Sequence, residues 1–256
     1  MQRKPVFIVD IILLILALSS CNLPNRQISP TPTPVVTSIP LLEPSPTPAS
    51  LCDNQYFPSQ LGDAWEYSGN NTAIGAYSRT DTITNSSAEA FSVSTILANV
   101  SYGVHYDCSA AGLTATDPIQ QYVGALLSSP NSPVDVKLTS SSGVTLPASI
   151  IPGDTWQQTA GFEATSPDLN MNGRFVFNYA AVGFENVTIP LGTFNALRVD
   201  TTIRIEVSAF RVLAGTYTST SWMVPEIGII KSEGTSHVPN IDFSDTMQLT
   251  SFAPSP

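Results

Sequence analysis

Charge is what this 256-residue chain has least of. Asp, Glu, Lys and Arg together make up 12% of it, about half the ~25% usual for soluble domains. Cations are the scarcer sign, with 10 Lys and Arg against 20 Asp and Glu. A nucleic-acid binder needs clustered cations to displace counterions from the phosphates, so no nucleic-acid partner is expected. Histidine occurs twice, at His105 and His237, and any Ser-His-Asp or Cys-His catalyst must use one of them. There is no Gly-x-Ser-x-Gly elbow, the strained turn that presents a nucleophilic serine. The N-terminal apolar stretch, Val6 to Leu18, is thirteen residues broken by Asp10, short of the ~20 a spanning helix needs. Apolar residues, by contrast, make up 42%. That is enough for a sizeable core and confines disorder to a segment.

The N-terminus carries an address. Arg3 and Lys4 precede the apolar run Ile11 to Leu18, the charge-then-apolar order of a signal peptide. Leu18-Ser19-Ser20-Cys21 follows and resembles the bacterial lipobox, whose Cys becomes lipidated. The resemblance implies a leader over residues 1–20, lipid attachment at Cys21, and a position on the extracytoplasmic side of a cell membrane. Stable anchoring needs two acyl chains or more, at ~0.8 kcal/mol per buried CH₂, and a diacylglyceryl Cys21 meets that without a spanning helix. Residue 22 is Asn, so the Asp of the inner-membrane retention signal is absent. With Cys21 lipidated, Cys52 and Cys108 remain as an even pair in an oxidising compartment. A disulfide between them is expected, worth ~4 kcal/mol in the chain-entropy account; the alternative is two separate buried thiols. A thiolate zinc site is excluded in practice by the same count.

Residues 21–50 form a linker. Eight of the 29 residues after Cys21 are Pro, mostly alternating with Thr or Ser. Proline removes backbone donors and favours the extended polyproline conformation, so no helix or sheet is expected there. Fully extended, the linker reaches on the order of 90 Å at ~3.1 Å per residue. Loss of Arg3, Lys4 and Asp10 with the leader leaves 8 basic against 19 acidic residues, net −11. That charge repels anionic lipid, so the globular part is expected to stand away from the membrane.

Residues 51–256 read as a mainly β fold: a single antiparallel β domain, sandwich or half-open barrel, with one short helix. Thr, Ser, Val, Ile, Phe and Tyr dominate, with turn residues at short intervals. From Arg198 to Ser208, Val199, Ile203, Ile205 and Val207 point one way while Arg198, Asp200, Thr202, Arg204 and Glu206 point the other. Phe175, Phe177 and Tyr179 alternate similarly, as do Phe91, Val93 and Leu97, and Met247, Leu249 and Ser251 share one face. Asn172-Gly173 signals a hairpin turn. Thr116-Asp117-Pro118 opens a helix with Ile119, Tyr122, Val123, Leu126 and Leu127 on one face, ending near Ser128. Gly62-Asp63-Ala64-Trp65 is echoed by Gly153-Asp154-Thr155-Trp156, each a turn delivering a Trp into a strand. Core packing is expected for all three Trp, with Trp222 the third.

Those two turns, with Val187-Thr-Ile-Pro-Leu-Gly-Thr-Phe-Asn-Ala-Leu-Arg-Val199 and Trp222-Met-Val-Pro-Glu-Ile-Gly-Ile-Ile-Lys231, resemble uncharacterised bacterial exported β-proteins of the DUF3108 and TapB-like type. The resemblance spans roughly residues 56–252. It implies export, often as a lipoprotein, and a curved antiparallel sheet. It brings no catalytic residues, because the shared positions are Gly, Pro, Trp and Phe.

Chemistry is sparse. His105 lies in a strand with Asp107 on its own face and His237 in a loop; both read as surface or hydrogen-bonded histidines. Asp168-Leu-Asn170-Met-Asn172-Gly173 matches the first half of a calcium loop. Its twelfth position is Tyr179 where a bidentate Glu is needed, so a plain turn is expected. No catalytic site, cofactor or metal is assigned. The expected function is that of a membrane-anchored extracytoplasmic lipoprotein, non-enzymatic and monomeric, binding an apolar or lipidic ligand in its curved sheet. The alternatives are a structural or protein-interaction module on the cell envelope and, last, a hydrolase.

Overall fold

The computed structural model describes residues 50–98, 100–116, 135–166, 169–207, 215–238 and 241–255. The leader, the linker and the helix expected at 117–128 lie outside these. Thirteen strands follow in chain order: β1 Ala64–Asn71, β2 Gly75–Ser86, β3 Ala90–Leu97, β4 Val100–Ser109, β5 Gly112–Ala115, β6 Asp135–Gly143 and β7 Leu146–Pro147. After them come β8 Thr155–Ser166, β9 Leu169–Ile189, β10 Gly192–Val207, β11 Gly215–Val224, β12 Gly228–Val238 and β13 Ile241–Ala253. They make one antiparallel sheet in the order β6-β8-β9-β10-β11-β12-β13-β1-β2-β3-β4-β5-β7. A single ladder runs through all thirteen, so this is one curled, open sheet and not two packed ones.

The edges meet at one end. Edge strands β6 and β7 are two residues apart in the chain, one paired with β8 and the other with β5. Buried Gln158 of β8 donates to Ala115 O of β5 at 2.8 Å and accepts from Thr145 Oγ1 at 2.7 Å. Thr145 N in turn donates to Leu113 O at 2.8 Å. A side chain on Gly143 would run into Gln157 O, and its φ is +77°, so this closure requires glycine. Residues 50–63 cross the same end. Phe57 packs on Trp65, Phe91 and Tyr106 with ring centroids 5.3–5.9 Å apart, and Glu226 N donates to Gln55 O at 2.8 Å.

The two Gly-Asp-x-Trp segments build the same turn twice. Gly62 and Gly153 have φ of +96° and +97°. Asp63 accepts from Gln60 N and Asp154 from Ile151 N, both at 2.9 Å. Asp63 O then accepts from Ile83 N and Asp154 O from Ala181 N, again at 2.9 Å. Each turn starts a strand and ties it to the next one, β2 or β9. The indole N–H groups donate to main-chain carbonyls, Trp65 to Ile227 at 2.6 Å and Trp156 to Thr145 at 3.0 Å. Trp65 and Trp222 are buried, and Trp156 packs against the same core.

Val199 and Ile203 are buried as the alternation predicts, and so are Phe175, Phe177, Phe91, Val93, Met247 and Leu249. Three expectations fail, the first being the loop at His237, which lies inside β12 and pairs with Thr216 and Asp242. Asn172-Gly173 is not a turn: both residues lie inside β9, and Gly173 pairs with Phe162 and Val207. The glycine is needed there because the Phe162 ring lies where its Cβ would be. The β8–β9 ladder instead begins at the pair Ser166 and Leu169. Ser251 does not share the face of Leu249, because a bulge at this point pairs Tyr67 with Leu249 and Glu66 with Ser251, shifting the alternation by one.

Candidate functional site

The β1–β4 half of the sheet carries an ion pair on its inner face. Tyr67 and Arg79 are cross-strand partners, as are Asp81 and Thr95. Arg79 binds Asp81 through two nitrogens, Nε to Oδ1 at 2.9 Å and Nη2 to Oδ2 at 2.8 Å. Thr95, fully buried, donates to Asp81 Oδ1 at 2.7 Å. The guanidinium lies 5.9 Å from the Tyr67 ring centre. Burial opposes the Arg79 charge, but Asp81, Tyr102 and Tyr67 together outweigh it, and the pKa lies above the ordinary arginine value. Burial, and then Asp81, raise Tyr67; burial raises Tyr102. Beside them Asp245 accepts from Tyr77 Oη at 2.9 Å and from Asn71 Nδ2 at 3.1 Å. Burial still holds the Asp245 carboxyl above the ordinary aspartate value. Facing inward on β8–β11 is an apolar cluster of Phe162, Phe175, Phe177 and Ile203, joined by Tyr217.

The outer face of β10–β13 carries a second polar surface. Arg198, Trp222 and Lys231 are successive cross-strand partners, with Lys231 Nζ 4.8 Å from the Trp222 ring centre. Arg198 binds Asp200 at 2.9 and 3.0 Å and Glu185 at 3.3 Å, while Trp222 Nε1 donates to Glu185 at 3.0 Å. Those bonds, Trp222 first, draw the Glu185 carboxyl below its usual range. Burial would raise Asp200, but Arg198 and Thr220 outweigh it and lower its pKa. Next to this network is an open trough of about 520 Å³ lined by Thr, Ser, Asp and Glu, among them Thr202, Thr218, Glu233 and Thr246. Ligand pockets are typically enclosed and lined mainly by hydrophobic side chains; this one is open and has no hydrophobic side chain in its lining.

His105 does meet a hydroxyl and an acid. Ser92 faces it across β3–β4, with Ser92 Oγ 3.1 Å from Nδ1 and Asp107 Oδ1 3.4 Å from Nε2. The sequence placed Asp107 beside His105 but gave no sign of Ser92, whose partner is fixed by strand register. Both His105 and Asp107 are exposed, at 47% and 64%, on a flat ladder whose strand amides serve pairing. Acyl transfer needs donors converging on a desolvated oxyanion, which an open sheet face does not offer. His237 lies 4.0 Å from Asp242 with both side chains mostly in solvent. Asp168 lies outside the described residues, and Asn172 belongs to an extended strand that cannot wrap oxygens around an ion. Among the described residues no cluster of three or more His, Cys, Asp or Glu could hold a metal. Cys52 and Cys108 are joined, with Cα atoms 5.0 Å apart.

No family model matches the chain, and no curated protein matches it. Two crystal structures share its fold. One is titled a "putative lipoprotein" from Parabacteroides distasonis, with a TM-score of 0.52 at 13% identity over 78% of this chain and 99% of that one. The other is a "putative exported protein with YmcC-like fold" from Bacteroides fragilis, with a TM-score of 0.50 at 15% identity over 79% and 100%. At these identities the likeness establishes the fold: a curled antiparallel sheet of the YmcC-like kind.

Proposed function

We propose that this chain is an envelope lipoprotein, held by lipid on Cys21 at the extracytoplasmic side of a membrane, whose β domain is a non-enzymatic contact module. The observation that carries the contact reading is the filling of the inner face by the chain's own side chains. Phe91, Phe175, Phe177, Leu197 and Ile203 are buried to 2% exposure or less, and Arg79 is already paired with Asp81. Contacts with other molecules then fall to the outer face and the turns. The lipid anchor draws support from the lipobox-like Leu18-Ser19-Ser20-Cys21 and from the names of the two fold neighbours. A second reading, an apolar or lipidic ligand held in the sheet, is favoured by the inward aromatic cluster around Phe162 and Phe175.

Two measurements test these readings. Palmitate labelling in a bacterial host should mark the wild-type chain and not Cys21→Ser; equal labelling would remove the anchor. Native mass spectrometry of residues 51–256, produced in an oxidising compartment, should give the bare mass. A reproducible added mass of a lipid would replace the contact module by the carrier.

A further inference from the structure

In an up-and-down antiparallel sheet, successive turns fall at alternate ends. The turns β2–β3, β4–β5, β9–β10 and β11–β12 therefore share one end with residues 50–63, the β7–β8 connection and the end of β13. Ser50, where the described chain emerges from the linker, lies at this end: Leu51 N donates to Ala88 O in the β2–β3 turn at 3.1 Å. Six large apolar side chains are 46–62% exposed on the same half of the molecule: Leu51, Leu61, Ile151, Val182, Phe184 and Leu191. Val182 follows Ala181, whose carbonyl accepts from Gly153 N beside Ile151. The other exposed ones, Ile74, Ile96 and Val100, lie at the far end by the β1–β2 and β3–β4 turns.

We propose that this linker-side end is a lipid-contact surface, with Leu61, Ile151 and Phe184 dipping into the headgroup–acyl boundary of the membrane that holds the anchor. The inference rests on the Cys21 anchor proposed above. The 29-residue linker, even fully extended, keeps this end within about 90 Å of the anchor. That gives this end an effective concentration at the bilayer in about the millimolar range. A weak apolar contact is then occupied without having to hold the protein by itself. Net charge opposes approach to anionic lipid, so the partner is a zwitterionic surface. Among the carboxylates of this end, Asp63 is buried and accepts from Gln60 N and Ser255 N, Asp154 is half-buried and accepts from Ile151 N, and Asp53, Glu89 and Glu226 stay exposed. The expectation that the domain stands away from the membrane, drawn from net charge alone, is thereby restricted to anionic membranes.

The pairing of Cys52 with Cys108 leaves Cys21 as the single free thiol, which makes a direct test feasible. The chain from Cys21 onward, made without lipid, is coupled through that thiol to a maleimide lipid in phosphatidylcholine vesicles. Hydrogen exchange is compared with thiol-blocked protein mixed with the same vesicles. Coupling should slow exchange about threefold or more around residues 60–62, 150–153, 182–185 and 190–192, and leave 73–75 and 97–101 unchanged. The slowing should disappear in the chain carrying Leu61→Ser, Ile151→Ser and Phe184→Ser. Equal exchange in both samples, or slowing confined to the far end, would overturn the proposal. Slowing that appears only at high surface density would assign the face to a second copy of the chain and overturn it equally. Because coupling supplies the tether chemically, a failure of lipidation at Cys21 in the palmitate assay leaves this result standing on its own.

Discussion

Asp245 shows how one half-buried group sets a pH dependence. Its folded pKa is raised by burial, so the folded state binds its proton more tightly than the unfolded chain does. The stability this contributes is present below the unfolded value of about 3.9 and is lost as pH rises through the folded value. Asp245→Asn, which keeps an acceptor for Tyr77, should unfold at a higher temperature than wild type at pH 7 and at a similar one at pH 3. Thermal scans at the two pH values check the sign, and a lower midpoint at pH 7 would contradict it. Removing the Asp81 side chain is destabilising, because it strands both Arg79 and Thr95. Asp81→Ala should cost toward the lower end of about 3–5 kcal/mol, as Arg79 retains some solvent. Ser92 tests the hydrolase alternative. An organophosphonate probe should leave it unmodified, and labelling that vanishes in His105→Ala would restore catalysis as a reading.

Among the elements, the closure and the disulfide have separable effects. Gln158→Leu keeps the volume but removes the donor to Ala115 O and the acceptor for the Thr145 hydroxyl proton, while Ala115 N still donates to Thr145 Oγ1, at about 1–3 kcal/mol for a buried group left unpaired. Urea denaturation should show a lower midpoint with an unchanged slope. The Cys52–Cys108 bridge ties the segment that closes one end of the sheet to β4 across 56 residues. Reduction should lower stability by about 4 kcal/mol, and a Cys52→Ser, Cys108→Ser double variant should match the reduced protein. Much of this level was legible beforehand. Alternation gave β10 and the aromatic stretch of β9, and the Gly-Asp-x-Trp echo was right about both turns. Asn172-Gly173 misled because turn chemistry and close ring approach both select glycine. Only the neighbouring strand, which brings Phe162 over Gly173, distinguishes them.

For the whole molecule, the decisive feature is that the last strand lies in the middle. β13 pairs with β12 on one side and β1 on the other. Truncation after β12 should therefore abolish folding, since it opens two strand edges in the sheet interior. Soluble yield and protease resistance of a chain ending at residue 238 measure this; a protected, monomeric product would contradict it.

Residue order alone determined the class of the protein. A scarcity of charge, period-2 alternation and frequent turn residues require an antiparallel sheet, and a short apolar leader ending in Leu-Ser-Ser-Cys sets the expectation of an exported, lipid-anchored chain. These are local properties, written in consecutive residues. The tertiary structure decided what depends on distant segments meeting: one sheet instead of two, the pairing of Arg79 with Asp81 on the inner face, Ser92 opposite His105, and the gathering of exposed apolar side chains at the linker-side end. Strand register and bulges fix those meetings, and a shift of one residue moves every side chain to the other face.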